Sequence, residues 1–358
     1  RGIGVSYEKS NATFTAKVRK KAILSAGALQ SAKLLGLSGI GDCRLLSKFG
    51  IPSVYHNPNV GEDHQTHIML PLGFVVNRGI TTTDDFANNP AAFQAAMDEY
   101  IQSRSGSFTT VNGGESMLTL LRLGGSIYSL ENQTIYKTFE VHHTQFTSQY
   151  AMLWQALSTN DTVAQVISIA GGIFPQSCND ISRSFFASSA DRHNYYTLLG
   201  VLQHPFLRGS VHIQFPNPHI HPRLDPKYLS HSLGLALTKS MVMYTQSPAA
   251  TPPLATLLPA NGTMFQQTGY GFYRLTNENA EGFIRETVLA AFYHSGNCAM
   301  LPREKGGVVD ARFRVYGVDG LRVVDASVFT SVSQATINSI VIAVAERAAD
   351  YAKGDYGH

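Results

Sequence analysis

The 358-residue sequence predicts a mixed fold, part α/β and part α+β, spread over more than one structural unit. Three observations predict it. An apolar run, Ala22-Ile23-Leu24, is followed by the small residues Ser25-Ala26-Gly27-Ala28 and then by helical spacing at Leu29, Ala32, Lys33, Leu34 and Leu35. Near the other end, a strand over 321–325 leads through a loop into a helix over 338–352. Between them, apolar segments of strand length alternate with polar stretches.

In chain order, Ile3 and Val5 alternate with small or polar residues, Lys9-Ser10-Asn11 is a turn signal, and Phe14, Ala16 and Val18 alternate again. These read as a hairpin followed by the 22–24 strand. Gly36 and Gly39-Ile40-Gly41 stop the first helix, and 44–49 forms a second short helix ended by Gly50. Apolar segments follow at 69–76, 135–140 and 163–173. Residues 199–215 carry strand patterning, with Val211, Ile213 and Phe215 on one face, until Pro216-Asn217-Pro218 and Pro222 break it. A helix is expected over 228–244 and a Pro-, Ala- and Thr-rich loop over 246–263. No internal repeat is present.

Composition narrows the function. A hydrophobic share of 44% and a charged share of 15% suit a packed globular chain rather than a disordered one. The net charge is +3, and the densest basic run, Arg19-Lys20-Lys21, abuts an apolar strand as a solvated strand end would. No nucleic-acid partner is expected. The longest candidate for a span, 337–345, is too short to cross a membrane and runs into Glu346 and Arg347. Cys43, Cys178 and Cys298 define neither a disulfide framework nor the spacing of a metal site, so no metal is expected. Four sequons, at Asn11, Asn132, Asn160 and Asn261, point to a secreted glycoprotein. The opening Arg1-Gly2-Ile3-Gly4 falls in mid-pattern, as in a piece of a larger protein.

Three segments carry chemistry. Residues 23–41 read ILSAGALQSAKLLGLSGIG, residues 59–67 read NVGEDHQTH, and 293–350 hold Tyr293-His294-Ser295-Gly296-Asn297-Cys298-Ala299-Met300 and Leu321-Arg322-Val323-Val324-Asp325-Ala326-Ser327. The first resembles the second signature of the glucose-methanol-choline (GMC) flavin oxidoreductases through Gly27, Ala28, Ser31, Leu34, Leu35 and Ser38-Gly39-Ile40-Gly41. The second resembles that family's V-G-E-N-L-Q-D-H, departing at Asp63, His64 and Thr66. The third resembles its C-terminal block, and Arg208-Gly209 with 222–229 resembles its substrate region. The resemblance spans about residues 2–353.

It implies FAD as cofactor, and an alcohol or sugar, or another small molecule, as substrate. Its fold would be an incomplete FAD-binding domain from 1–66 and 286–358, with a substrate domain over 67–285 carrying a mainly antiparallel sheet. Alcohol oxidation needs a base that titrates near neutrality, which imidazole supplies. The family's base opens H-x-x-G-T-C-x-M, and carried over it is His294. Asp325 and Ala326 would lie against the ribityl and phosphate portion, with Ala26 and Gly27 in the facing turn. Ile337 and Asn338, starting the last helix, would point its positive end at the flavin ring.

Two departures qualify the expectation. No complete G-x-G-x-x-G is present, because Gly2-x-Gly4 and Gly39-x-Gly41 both lack the third glycine. An N-terminal fragment of the same precursor is the partner this implies. The family's second catalytic side chain, His or Asn, falls by ungapped counting on Thr336, and a small register shift would bring Asn338 there instead. Threonine donates a hydrogen bond but is no base. A non-redox relative that keeps the flavin, such as a lyase, cyclase or isomerase, is the alternative, and a non-catalytic flavin-binding remnant is a further one.

Overall fold

In the computed structural model, residues 1–109, 146–158, 162–173, 193–259, 264–265 and 274–355 are described. The chain opens with a hairpin, β1 (Gly4–Lys9) and β2 (Ala12–Lys17), then β3 (Ala22–Leu24), α1 (Ala28–Leu37), β4 (Ile40–Gly41) and α2 (Cys43–Lys48). β5 (Tyr55–His56), β6 (Glu62–His64) and β7 (Ile68–Val75) follow, then α3 (Thr83–Asn88), α4 (Pro90–Ser103) and α5 (Thr147–Ser158). Next come β8 (Ala164–Ile169), β9 (Tyr195–Leu202), β10 (Gly209–His212), β11 (Arg223–Asp225) and α6 (Ser232–Thr245). The chain ends with β12 (Met264–Phe265), α7 (Ala280–Thr287), β13 (Leu289–Ala290), β14 (Leu321–Val323) and α8 (Asn338–Gly354).

The fold is mixed, as the sequence predicts, and its two larger apolar cores among the described residues organise it. One draws on residues between Ile68 and Ile284. Its frame is an antiparallel sheet in the order β12-β7-β9-β8, with β13 also on β7. β7 and β9 pair over eight residues, from Ile68 against Leu202 to Val75 against Tyr195. β7 carries a proline, which a fully paired strand excludes. Pro71 sits between the stretches that β13 and β12 pair, 68–69 and 73–74, where that edge has no strand among the described residues. Helix α6 covers the sheet with Leu233, Leu237, Met241 and Val242.

The second core joins Ala32, Leu35, Ile40 and Val60 to Cys298, Val308, Val309, Val323 and Val328, so residues distant in sequence share it. Here β3 and β14 form a parallel pair, Ala22 against Leu321 and Leu24 against Val323. Among the described residues this sheet has two strands, and Ile23 stays 54% exposed. Ile340 and Ile342 on α8 are exposed as well. Parallel strands ordinarily lie in sheets covered on both faces.

Several elements differ from the sequence reading. The strand expected over 199–215 is two strands in two sheets, β9 and β10, parted by 203–208, where Pro205 ends the ladder and Arg208 is buried. The helix expected from 228 starts at Ser232, because Leu229 takes a left-handed φ of 57° and the His231 ring caps Leu233 N–H. The strand expected over 321–325 ends at Val323. Two short 3₁₀ turns, Ser247–Ala250 and Leu254–Leu257, punctuate the expected loop. The apolar segment at 135–140 lies outside the described residues.

Gly61 fixes the junction between the cores. Its φ is 87°, and a Cβ there would stand 2.2 Å from the Val211 carbonyl oxygen. Gly61→Ala is therefore expected to cost at least about 2 kcal/mol, since strain and a backbone clash add. Urea unfolding measures it, and an unchanged midpoint would reject the close approach.

Candidate active site

One wall of the site is the turn between β3 and α1. Gly27 has a φ of 80°, caps α1 without any side-chain bond, and has open space where a Cβ would stand. The Asp325 carboxylate holds this turn from the far end of the sequence. Gly27 N–H donates to it at 3.0 Å and the Ser31 hydroxyl at 2.5 Å, while Ser327 donates its N–H at 2.9 Å and its hydroxyl at 2.5 Å. The carboxylate that the sequence assigns to cofactor contact is thus spent inside the protein. What faces the open space is backbone at Ala26–Gly27 and the first turn of α1. Asp325→Ala would strand four donors, and a loss of about 3 kcal/mol is expected, because bonds to a charged acceptor are the stronger kind. Thermal or urea unfolding tests this, and a loss below about 1 kcal/mol would show the clamp to be incidental.

The second wall is the loop that leads into α8. Gln65 holds it from one side, its Nε2 donating to the Thr330 carbonyl at 3.3 Å and its Oε1 accepting Val332 N–H at 3.1 Å. Gln203 holds it from the other, accepting Ala335 N–H at 2.5 Å, and Gln334 Nε2 lies 2.9 Å from His204 Nε2. Between these anchors Thr336 is exposed, Ile337 is buried at the N-cap, and Asn338 is exposed in the first turn. No side chain among the described residues caps α8, which leaves its first N–H groups and positive end open to a ligand.

Three histidines and a tyrosine line the floor. Segment 291–295 runs beside 65–67, with Ala291 N–H donating to the His67 carbonyl and Ser295 pairing with Gln65. Phe292 takes a φ of 64°, and the extra residues bulge outward. Tyr293 stands edge-on to His67, ring centroids 5.4 Å apart, and its hydroxyl donates to Thr336 Oγ1 at 3.4 Å. His294 turns to His64, with 3.0 Å between His294 Nδ1 and His64 Nε2. Burial pushes the His64 imidazole down to about 3, with the neighbouring His294 adding to it, and pushes His67 down to about 4. Burial also lowers His294.

Beneath the floor lies an ion pair. Arg208 Nε is 2.9 Å from Asp63 Oδ1, both side chains nearly sealed from water. The Arg208 guanidinium also lies over the Tyr150 ring, 5.2 Å from its centroid. Burial pushes the Asp63 carboxyl up to about 7 although Arg208 pulls the other way. A cavity of about 340 Å³ opens beside this pair, lined in part by Asp63, Phe146 and Gln149.

Of the residues that the sequence singles out, His294, Thr336, Ile337 and Asn338 gather around this floor, while Ala26, Gly27, Asp325 and Ala326 gather at the other wall. Phe146 and Tyr150 are buried, and Tyr150 packs on Phe206 and His231 in the larger core. Phe139, His142 and His143, which the sequence groups with Phe146 and Tyr150 as an aromatic and histidine cluster suited to a pocket lining or, more simply, to core or surface, lie outside the described residues. Sequence reasoning missed Tyr293 and passed over His64 as a mere mismatch. The signal for Tyr293 is spacing: the chain has His-x-Gly where the family pattern has His-x-x-Gly.

The cysteines also gain company. Asp42, Cys43 and His56 offer ligand atoms within 4.8 Å of one another. The Asp42 carboxylate is held by Arg44 at 2.8 Å, and His56 Nδ1 accepts Cys43 N–H, so both are already engaged. Cys43 and Cys298 are free thiols, and Cys178 lies outside the described residues. No helix among the described residues is long and apolar enough to cross a membrane.

A flavin dinucleotide needs backbone that approaches its diphosphate and ribityl chain, and a positive group near the ring. The Gly27 turn with its open space and the two uncapped helix starts fit that need.

Family profiles described as GMC oxidoreductase match residues 1–69 and 205–345. The chain is 30% identical to the GMC oxidoreductase family protein Mala s 12 of Malassezia sympodialis, over 98% of this chain and 52% of that protein. It is 29% identical to human mitochondrial choline dehydrogenase over 99% of this chain and 51% of the relative. The chain thus spans about half the length of the curated relatives it matches. Among solved structures, an FAD-dependent oxidoreductase from Chaetomium thermophilum superposes with a TM-score of 0.80 at 24% identity, over 99% of this chain and 60% of that one. A fungal aryl-alcohol oxidase superposes with a TM-score of 0.75 at 22% identity, over 98% and 57%. By sequence and by fold, then, the chain belongs to the GMC oxidoreductase family.

Proposed function

We propose that the protein to which this chain belongs is an FAD-dependent oxidoreductase acting on the CH–OH group of a small alcohol or sugar. The observation that carries this reading is the meeting of the Tyr293 and Thr336 hydroxyls beside the uncapped N-terminus of α8. Bound there, FAD would supply the acceptor for an α-hydrogen leaving as hydride. The chain's own residues do the rest. The Gly27 turn and the start of α1 hold the anionic part, and Ile337 and Asn338 present helix N–H groups toward the ring. The Tyr293 and Thr336 hydroxyls, at an exposed edge, hold the substrate oxygen and pass its proton to solvent.

The two-stranded β3–β14 sheet and the exposed Ile23, Ile340 and Ile342 support a missing neighbour. We assign that place to an N-terminal segment of the same precursor, carrying the dinucleotide fingerprint, joined to this chain or present as a second one. Secretion with N-glycosylation belongs to the same reading. Asn11 sits at the exposed hairpin tip, whereas Asn132, Asn160 and Asn261 lie outside the described residues.

One observation favours a second reading. At position 336 a hydroxyl stands where the family carries His or Asn, and a hydroxyl is no base. A flavin-retaining lyase, cyclase or isomerase would tolerate that. The test is the visible spectrum of the natively purified protein before and after anaerobic addition of primary alcohols and sugars. Bleaching establishes alcohol oxidation. A flavin spectrum that none of them alters favours the non-redox reading, and a colourless protein removes both.

A further inference from the structure

We infer that the Tyr293 and Thr336 hydroxyls, and not the His294 imidazole, are the pair that meets a substrate oxygen, and that His294 is held away from it by His64. This rests on the proposed alcohol chemistry and deepens it.

Tyr293 and His294 are neighbours in the bulged stretch beside 65–67, and their side chains take different partners. Tyr293 goes to Thr336, at 3.4 Å, on the exposed approach to α8. His294 goes the other way, to the fully buried His64, at 3.0 Å.

His64 Nδ1 is buried and has no hydrogen-bond partner among the described residues. A neutral imidazole carries one N–H and one lone pair, and burying a bare N–H costs more than burying a bare lone pair in a ring. His64 therefore keeps its proton on Nε2 and donates it to His294 Nδ1. That commits the His294 lone pair and leaves its proton on Nε2. So disposed, His294 can donate a hydrogen bond but has no free lone pair with which to take a substrate proton.

Counted back from Gly296, Cys298 and Met300, the place of the pattern's histidine is residue 293. His64 likewise stands where the pattern has leucine, so the two departures accompany each other across the 3.0 Å bond. The ligand this site fits is a neutral hydroxyl or carbonyl oxygen, since each of its two hydroxyls both donates and accepts.

Two measurements on the full-length FAD-loaded protein test the inference. Trifluoroethanol, an alcohol resistant to oxidation, is titrated while the flavin's visible absorption reports its binding. Tyr293→Phe and Thr336→Val are each expected to weaken it about tenfold, the worth of one neutral hydrogen bond, while His294→Gln stays within about twofold. A tenfold loss confined to His294→Gln overturns the inference, as does a wild type whose flavin never responds to the alcohol. The second measurement is ¹⁵N NMR of the histidine rings, assigned with His64→Leu and His294→Gln. Protons on Nε2 of both rings are expected, and an Nδ1 proton on His294 overturns the inference. If the protein carries no flavin, the alcohol-oxidation reading fails, and the ring tautomers still decide how His294 is disposed.

Discussion

Replacing Arg208 by methionine is expected to cost about 3–5 kcal/mol of stability at neutral pH, because it strips a buried carboxylate of its counter-charge. Arg208 and Asp63 meet at 2.9 Å with almost no exposed side chain, and Gln149 Nε2 reaches the other carboxylate oxygen at 3.4 Å. The guanidinium also satisfies the Pro205 and Leu207 carbonyls from Nη1, at 3.1 and 2.7 Å. Burial already pushes Asp63 up to about 7 with the arginine in place. Without it the carboxyl escapes ionisation only by taking up a proton. The sign follows: a carboxyl raised above its unfolded value is fully tolerated at low pH and costs stability as pH rises through the folded value. The penalty of Arg208→Met should therefore grow from pH 5 to pH 8. Adding Asp63→Asn should recover at least half of it, since a neutral amide needs no counter-charge. Asparagine also accepts the left-handed φ of 62° at this position. Urea unfolding of both variants across that range decides. A double variant as unstable as Arg208→Met alone would show that lost packing on Tyr150, and not the stranded carboxyl, sets the cost.

Much of the frame was legible because local pattern and packing agree. The hairpin turn at Ser10-Asn11 has φ values of 50° and 62°, as its residues suggest, and β3, the Gly27 turn and α1 follow their apolar spacing. The start of α8 likewise falls where the apolar spacing puts it. What was not legible depends on distance in sequence. Nothing local says that Asp325 will spend its carboxylate on Gly27 and Ser31, some 300 residues away. Nor does the alternation within 199–215 reveal that Arg208 interrupts it to neutralise Asp63. His64 is the clearest case. In a strand signature it reads as one polar substitution, and only the fold brings it to His294.

Lowering the pH from 6.5 to 4 is expected to cost the folded chain about 3 kcal/mol through these buried rings, and His64→Leu should largely abolish that loss. His64 and His67 are both sealed from water and held near 3 and 4, below the value of a solvated imidazole. A histidine with a depressed folded pKa contributes stability that is present above its unfolded value and is lost as pH falls toward the folded one. Over this window each ring loses about 3 kcal/mol, at roughly 1.4 kcal/mol per pH unit. Asp63 works in the opposite direction, regaining about as much as one ring loses while its carboxyl protonates. One ring's worth of acid lability remains, and leucine at position 64 removes it. The substitution restores the residue of the family pattern, fills a similar volume and leaves no buried Nδ1 without a partner. His294 Nδ1 loses its donor, but that ring is only partly buried and water can reach it. Urea midpoints at pH 4 and pH 6.5 measure the difference for each protein. If His64→Leu loses as much stability on acidification as the parent, the buried pair is not the source of the lability, and the carboxylates elsewhere in the chain become the place to look.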